Sequence, residues 1–133
     1  MRYVTMLAFF VSLAAISGDV RSSIQAAKEP QIAHMVYFQL TDNTEAKIKA
    51  LVADCDKLLN DHPGTIYYSA GTLAKDFKRD VNDRDWDVAL HVVFRTKADH
   101  DRYQDHARHK EFVSKHKANM KKVRVFDAAV SPK

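Results

Sequence analysis

Residues 86–94 read WDVALHVVF, and the alternation in this run constrains the fold more than any other feature of the chain. Large apolar side chains occupy every second position, which is the period of a β-strand. One face carries Val88, Leu90, Val92 and Phe94, and the other carries Asp87, Ala89, His91 and Val93. Because β-branched and aromatic residues dominate the run, it predicts a strand with one face in the core. The fold class then depends on the elements that flank it.

Three further runs predict strands. Residues 32–40 alternate His34, Val36, Phe38 and Leu40 against Ala33, Met35, Tyr37 and Gln39. Residues 65–71 place Ile66, Tyr68 and Ala70 on one side, and the closing run 122–130 places Val123, Val125 and Asp127 on one face. The first of these runs is apolar on both faces, which is typical of a strand covered on both sides.

Two segments predict helices. From Thr44-Glu45 onwards apolar residues recur at helical spacing. The polar side chains of TDNT (41–44) are expected to cap the start of this helix. The helix is expected to end at His62-Pro63-Gly64. A second helical segment is predicted from Ala98 to about Asn119, and it is either continuous or broken near Ala107. The order β-α-β-β-α-β predicts an α+β, ferredoxin-like fold with one four-stranded antiparallel sheet.

Two helices cover only one face of such a sheet. The uncovered face carries Ala33, Met35, Tyr37, Ala89, Val93 and Phe126. This is too much apolar surface for a small domain to leave in water, and two-fold dimers are the commonest oligomers. The sequence therefore predicts a homodimer with paired sheet faces or strand edges.

The N-terminal segment predicts export. Arg2 precedes an apolar run of about 14 residues, which is the length of a secretory signal rather than of a membrane span. We expect a signal peptide and the start of a linker over residues 1–27, linker over 28–31 and the folded domain over 32–133. The protein is then periplasmic or secreted, without membrane association after cleavage, and an uncleaved anchor is the alternative.

Composition excludes several classes of function. With only three glycines, the chain lacks the glycine-rich loop of a nucleotide-binding site. The net charge of +4 is mild and no basic run alternates with aromatics, so nucleic acid is not an expected partner. Cys55, the only cysteine, falls on the apolar face of the first helix and is expected in the core. Charges of both signs over residues 72–85 predict an exposed, ion-paired loop.

The stretch YQDHARHKEF (103–112) spaces Tyr103, His106, His109 and Phe112 at intervals of three. On a continuous helix this spacing stacks the rings on one face. That face is either a site for a ligand or a polar patch beside a core aromatic, Phe112. His34, on the strand face expected under the helices, is either a hydrogen-bonded core residue or part of the same site. His62, His100 and His116 are expected in solvent, and His91 on the opposite sheet face.

Five motifs together resemble the stress-responsive A/B barrel (Dabb) family. They are His34-x-Val36-x-Phe38, Pro63-Gly64, Trp86-Asp87, Tyr103-x-x-His106-x-x-His109-x-x-Phe112 and the closing VRVFD, and they span about residues 32–130. The resemblance implies a dimeric α+β barrel. One departure is Ala107, where the family's Tyr-x-x-His-Pro-x-His motif has proline, so the break after the first histidine is less strongly enforced.

The resemblance also implies roles for the site residues. In a plant polyketide cyclase of the family, the tyrosine and second histidine of this motif are catalytic, and the first-strand histidine lines the pocket. Carried over by motif position, Tyr103 and His109 are the candidate catalytic pair, with His34, His106 and Phe112 as ligand-binding residues. His109 would remove a proton next to a carbonyl, and Tyr103 would stabilise the enolate.

Two classes of function remain open. One is a domain that binds a small apolar or aromatic molecule without catalysis. The other is a cofactor-free enzyme with aldol-type or oxygenase chemistry, which a mainly apolar cavity reaching both Tyr103 and His109 would favour. We expect no cofactor and no metal. A metal site would have to combine His106, His109 and His34.

Overall fold

The computed structural model describes residues 29–131. The strands are β1 (Gln31–Leu40), β2 (Thr65–Thr72), β3 (Val88–Phe94) and β4 (Met120–Val130). The helices are α1 (Glu45–Leu58), α2 (Lys97–Asp105) and α3 (Ala107–His116), and a 3₁₀ turn over Lys117–Asn119 leads into β4. The strands form one antiparallel sheet in the order β2-β3-β1-β4. This is the predicted ferredoxin-like arrangement, with the second helical segment divided in two.

The core lies between one face of the sheet and the helices. The even-numbered residues of β3 from Val88 to Phe94 are at most 1% exposed, and α1 contributes Leu51, Cys55 and Leu58. Burial raises the pKa of the Cys55 thiol to about 12. A buried thiol with so high a pKa packs as a small apolar residue, as the sequence predicts.

The prediction for β2 is wrong at its first apolar position. Tyr68 and Ala70 pack against the core, but Ile66 is 44% exposed. The pairing of β2 with β3 shifts register between Thr65 and Tyr67. An irregularity of this kind breaks the two-residue alternation, so Ile66 no longer shares a face with Tyr68.

The start of α1 is held differently from the prediction. Thr44 occupies the N-cap position without a side-chain capping hydrogen bond. Asp42 Oδ1 instead accepts from the Thr44 backbone N–H at 3.2 Å. Asn119 fixes the Asp42 backbone, since its Oδ1 accepts from the Asp42 N–H at 2.8 Å and its Nδ2 donates to the Asp42 carbonyl at 3.0 Å. Hydrogen bonds therefore hold the start of α1 to the 3₁₀ turn that precedes β4.

The charged loop between β2 and β3 is exposed, as predicted. In residues 29–131 its carboxylates form ion pairs with basic residues of β4 and not with basic residues of the loop. Asp83 pairs with Arg124, and Asp85 lies 3.8 Å from the Lys122 Nζ. A nearly equal number of acidic and basic residues in the loop therefore does not mean that they form ion pairs with one another.

The sheet face away from the helices is apolar and partly open. Tyr37 contacts both Trp86 and Phe126, with ring centroids 5.1 and 5.9 Å away, and Phe126 is 57% exposed. Ala33, predicted for this open face, is only 3% exposed, because its small side chain lies between Val93 and Ala128 of the paired strands.

The predicted signal peptide and residue 28 of the linker lie outside the described residues. Within residues 29–131, no helix combines the length and apolar character needed to cross a membrane.

Candidate functional site

A cavity of about 340 Å³ lies between the helix-facing side of β1 and β4 and the helices α2 and α3. Its lining is mainly apolar and includes Val36, Phe38, Phe112, Met120, Val123 and Val125. Polar groups from His34, Tyr103, Gln104, His109, Lys117 and Asp127 complete it. An apolar cavity of this size with a few convergent polar groups is the usual form of a small-molecule site.

Tyr103 brings a buried ring and an available hydroxyl to the cavity. The residue is 2% exposed, and its ring centroid lies 4.7 Å from that of His109. Burial raises the pKa of Tyr103, so its hydroxyl stays protonated at neutral pH. Among residues 29–131 the hydroxyl has no hydrogen-bond partner, although a buried tyrosine normally has one. It is therefore a donor available to a bound molecule.

His109 is held in one orientation by the backbone. Its Nδ1–H donates to the Gln104 carbonyl oxygen at 3.0 Å, which leaves the Nε2 lone pair free of this contact. Burial lowers the pKa of His109 and outweighs the opposing effect of that hydrogen bond. The imidazole is thus neutral at pH 7, and Nε2 can accept a proton.

His34 and Asp127 form a hydrogen-bonded pair at the same cavity. The His34 Nδ1–H donates to Asp127 Oδ1 at 2.6 Å, and His34 is 4% exposed. Burial lowers the pKa of His34 even though the Asp127 carboxylate acts in the opposite direction. His34 is therefore a buried, hydrogen-bonded residue that also lines the cavity.

His106 is the predicted site residue that the structure places elsewhere. The helical segment breaks at His106, whose backbone is extended with ψ 143°, so the three rings do not share one helical face. Its ring packs against His62 with centroids 4.6 Å apart and does not line the cavity. Within the described part of the chain, the metal grouping of His34, His106 and His109 is not formed.

Phe112 lies at the apolar end of the site. It is 3% exposed, lines the cavity and packs against Phe38 with ring centroids 5.8 Å apart. The structure thus brings together His34, Tyr103, His109 and Phe112 of the predicted set.

Several residues that line the cavity were not predicted from the sequence. Asp127 alternates with Val123 and Val125 on the face of β4 that meets the cavity, and this alternation was the available signal. Gln104 and Lys117 carried no such signal. His62, expected in solvent, is 3% exposed, and the side chains of His100 and His116 are only 16% and 14% exposed. Tertiary packing, which no local pattern encodes, covers these three rings.

The chain is similar to known proteins in sequence profile and in fold. The model of the Stress Responsive A/B Barrel Domain family, Dabb, matches residues 32–130. No curated protein sequence matches the chain.

Solved structures share the fold at low sequence identity. A dimeric ferredoxin-like protein of unknown function from Thermobifida fusca YX aligns with a TM-score of 0.65 and 17% identity, over 78% of this chain and 94% of that one. A Dabb family protein with a ferredoxin-like fold from Mesorhizobium loti aligns with a TM-score of 0.62 and 21% identity, over 78% and 100%. The hydroxynitrile lyase from Passiflora edulis aligns with a TM-score of 0.63 and 21% identity, over 80% and 97%. With the family match over residues 32–130, these findings show that the chain belongs to the Dabb family.

Proposed function

We propose that this chain binds a small apolar or aromatic molecule in the cavity between its sheet and helices. The observation that carries the proposal is an apolar cavity wall beside polar atoms that have no partner in the described part of the chain. The Tyr103 hydroxyl and the His109 Nε2 both belong to residues that line the cavity, and neither has a hydrogen-bond partner among residues 29–131. The oxygen of a bound carbonyl compound would accept from the Tyr103 hydroxyl, and a C–H group next to that carbonyl would face His109 Nε2.

A second candidate function is cofactor-free chemistry on that molecule. The cavity reaches both Tyr103 and His109, which is the condition that favours catalysis over binding alone. Neutral His109 would remove a proton from the carbon next to a carbonyl group. Tyr103, protonated and desolvated, would donate a hydrogen bond to the developing enolate oxygen. The hydroxynitrile lyase among the similar folds is an example of an enzyme built on this scaffold.

Homodimerisation is part of the proposal. The open apolar sheet face around Tyr37 and Phe126 offers a surface for a second copy, and the similar Thermobifida fusca protein is described as dimeric. The cavity lies on the opposite side of the sheet. Pairing of sheet faces would therefore leave it accessible.

Binding is tested by a thermal-shift screen with small aromatic ketones and aldehydes. We expect at least one compound to raise the melting temperature of the wild type and to raise it less for Tyr103→Phe and His109→Ala. Tyr67→Phe, which removes the hydroxyl of a tyrosine that does not line the cavity, is the matched control. The binding proposal fails if no compound stabilises the wild type or if the cavity variants respond as it does.

Base chemistry is tested by deuterium exchange at the α-carbon of a bound aromatic methyl ketone in D₂O, followed by NMR. His109→Ala should slow the protein-dependent exchange by about 10²–10⁴-fold, the range of a general base. His116→Ala, a histidine outside the cavity, should leave the rate unchanged. Binding without exchange would reject the catalytic candidate and retain the binding function.

We also propose that the protein is exported through its N-terminal apolar segment. The support is the sequence of residues 4–17 alone. The test is N-terminal sequencing of the protein recovered outside the cytoplasm. A mature chain that begins between residues 18 and 28 agrees with export, and an intact N-terminus contradicts cleavage.

A further inference from the structure

Three side chains from three elements converge beside the cavity. His34 belongs to β1, His100 to α2 and Asp127 to β4, and one ligand atom from each lies within 4.8 Å of the other two. His100 Nε2 is 3.9 Å from Asp127 Oδ1, and the ring centroids of His34 and His100 are 5.1 Å apart. The grouping depends entirely on the fold, because 93 positions separate His34 from Asp127.

The donor set suits a divalent transition metal ion. Two imidazole nitrogens and one carboxylate oxygen are the ligands of many zinc sites. Around a tetrahedral zinc ion with bonds of about 2.1 Å, ligand atoms are separated by roughly 3.4 Å. The present separations of 2.6 Å for His34 Nδ1 to Asp127 and 3.9 Å for His100 Nε2 to Asp127 lie on either side of that value. Shifts of under about 1 Å would bring these two pairs to the required separation, and the third pair, His34 to His100, lies within 4.8 Å.

Neighbouring groups already orient His100 for this role. Its Nδ1–H donates to Asp101 Oδ1 at 3.3 Å, and its Nε2 accepts from the Gln104 side-chain amide at 3.2 Å. A metal ion bound to Nε2, the His100 nitrogen that lies 3.9 Å from Asp127 Oδ1, would replace the Gln104 amide on this lone pair. A carboxylate on the far nitrogen of a metal-bound histidine is a common device that fixes the ring and raises its basicity.

The site has room for a further ligand. His34 and Asp127 line the cavity together with Gln104, so a metal ion held there would face its interior. Three protein ligands and one open position make up the usual arrangement of a zinc site that binds water or substrate. On binding, the ion would replace the Nδ1 proton of His34, which leaves to solvent.

We propose that His34, His100 and Asp127 form a binding site for a divalent transition metal ion, with Zn²⁺ as the best match to the donors. This site differs from the grouping of His34, His106 and His109 considered from the sequence. It goes beyond the proposed binding of a small molecule, which needs no metal.

The test is titration of the full chain, prepared without a histidine tag, with Zn²⁺ alone. We expect one ion per chain by equilibrium dialysis, and visible d–d absorption typical of tetrahedral coordination when Co²⁺ is used. His100→Ala and Asp127→Asn should each weaken the affinity by about tenfold or more. Because His34 is buried in the core, His100→Ala is the decisive variant, with its fold verified by circular dichroism.

His116→Ala is the matched control. His116 has nearly the same exposure as His100 and also contacts a carboxylate, with its Nε2 2.8 Å from Asp54 Oδ2, but it belongs to no three-ligand group in residues 29–131. Its substitution should leave the affinity unchanged. The proposal is overturned by the absence of stoichiometric binding, by unchanged affinity in His100→Ala, or by an equal loss in His116→Ala. The thermal-shift screen is run with chelator present, so failure of the metal site and failure of the small-molecule proposal give separate results.

Discussion

At the scale of single residues, burial sets the chemistry of the histidines. His34, His62 and His109 all have a lowered pKa, and desolvation is the largest cause in each. Each keeps one hydrogen bond from the ring, to Asp127, the Leu58 carbonyl and the Gln104 carbonyl respectively. Neutral rings with one fixed nitrogen are suited to accept a proton on the other.

The same burial predicts acid sensitivity. The folded-state pKa of His62 lies below its ordinary value of 6.5, so the unfolded chain takes up a proton first as the pH falls. The stability that neutral, buried His62 contributes above about pH 6.5 is therefore lost as the pH falls towards its folded-state pKa. We expect the melting temperature to drop between pH 7 and pH 5, and to drop less for His62→Gln, whose amide can still donate to the Leu58 carbonyl. An equal fall in melting temperature for the wild type and His62→Gln would contradict a role of His62 in this acid sensitivity.

At the scale of elements, the break between α2 and α3 decides which rings face the cavity. His106 has an extended backbone, and its Nδ1 accepts from the Arg108 N–H at 3.1 Å, so its side chain caps α3. The His106 cap therefore marks the start of α3 at the position where the family motif has proline. The break therefore occurs with Ala107 in the first position of the new helix.

Restoring the proline should stabilise the protein. Ala107→Pro falls at the first helical position, where proline's fixed φ is favourable and its missing N–H is not needed. The preceding His106, with φ −67° and ψ 143°, already has the conformation that a following proline requires. We expect a gain of about 0.4–1 kcal/mol in the free energy of unfolding, measured by denaturant titration at fixed protein concentration.

Ser114→Pro, at an exposed position within α3, is the control for this substitution. Proline there removes a helical hydrogen bond and should cost about 3 kcal/mol or more. A destabilised Ala107→Pro variant would mean that the helix boundary lies elsewhere.

At the scale of the whole molecule, the two faces of the sheet have different partners. The helices cover one face and leave the cavity beside the edge strand β4. The other face keeps Phe126 exposed next to Tyr37 and Trp86. An apolar cluster of this kind on a domain of about 100 residues is typical of an oligomer interface.

Phe126→Lys should convert the proposed dimer into a monomer, because it removes a large apolar side chain from the interface of each copy and puts a charge in its place. Burial of one such side chain is worth about 1.5–3 kcal/mol. The mass is measured by light scattering at micromolar concentration. Phe77→Lys is the control, since Phe77 is a similarly exposed phenylalanine (63%) in the loop between β2 and β3. A monomeric wild type, or dissociation by the control variant as well, would contradict this interface.

The order of strands and helices, the ferredoxin-like fold and most of the core can be predicted from the amino-acid sequence. These properties depend on local periodicity, since alternation and helical spacing show which side of each element is apolar. The sequence also points to His34, Tyr103, His109 and Phe112 as candidate site residues, through the motif that they share with the Dabb family.

Tertiary packing sets which of these residues meet. It moved His106 away from the cavity because the chain breaks at that residue, and it brought Asp127 and His100 to His34 from two other elements. It also covered His62, although its neighbours in sequence mark a turn. Contacts between distant segments depend on strand register and helix placement, and no local pattern in the chain carries that information.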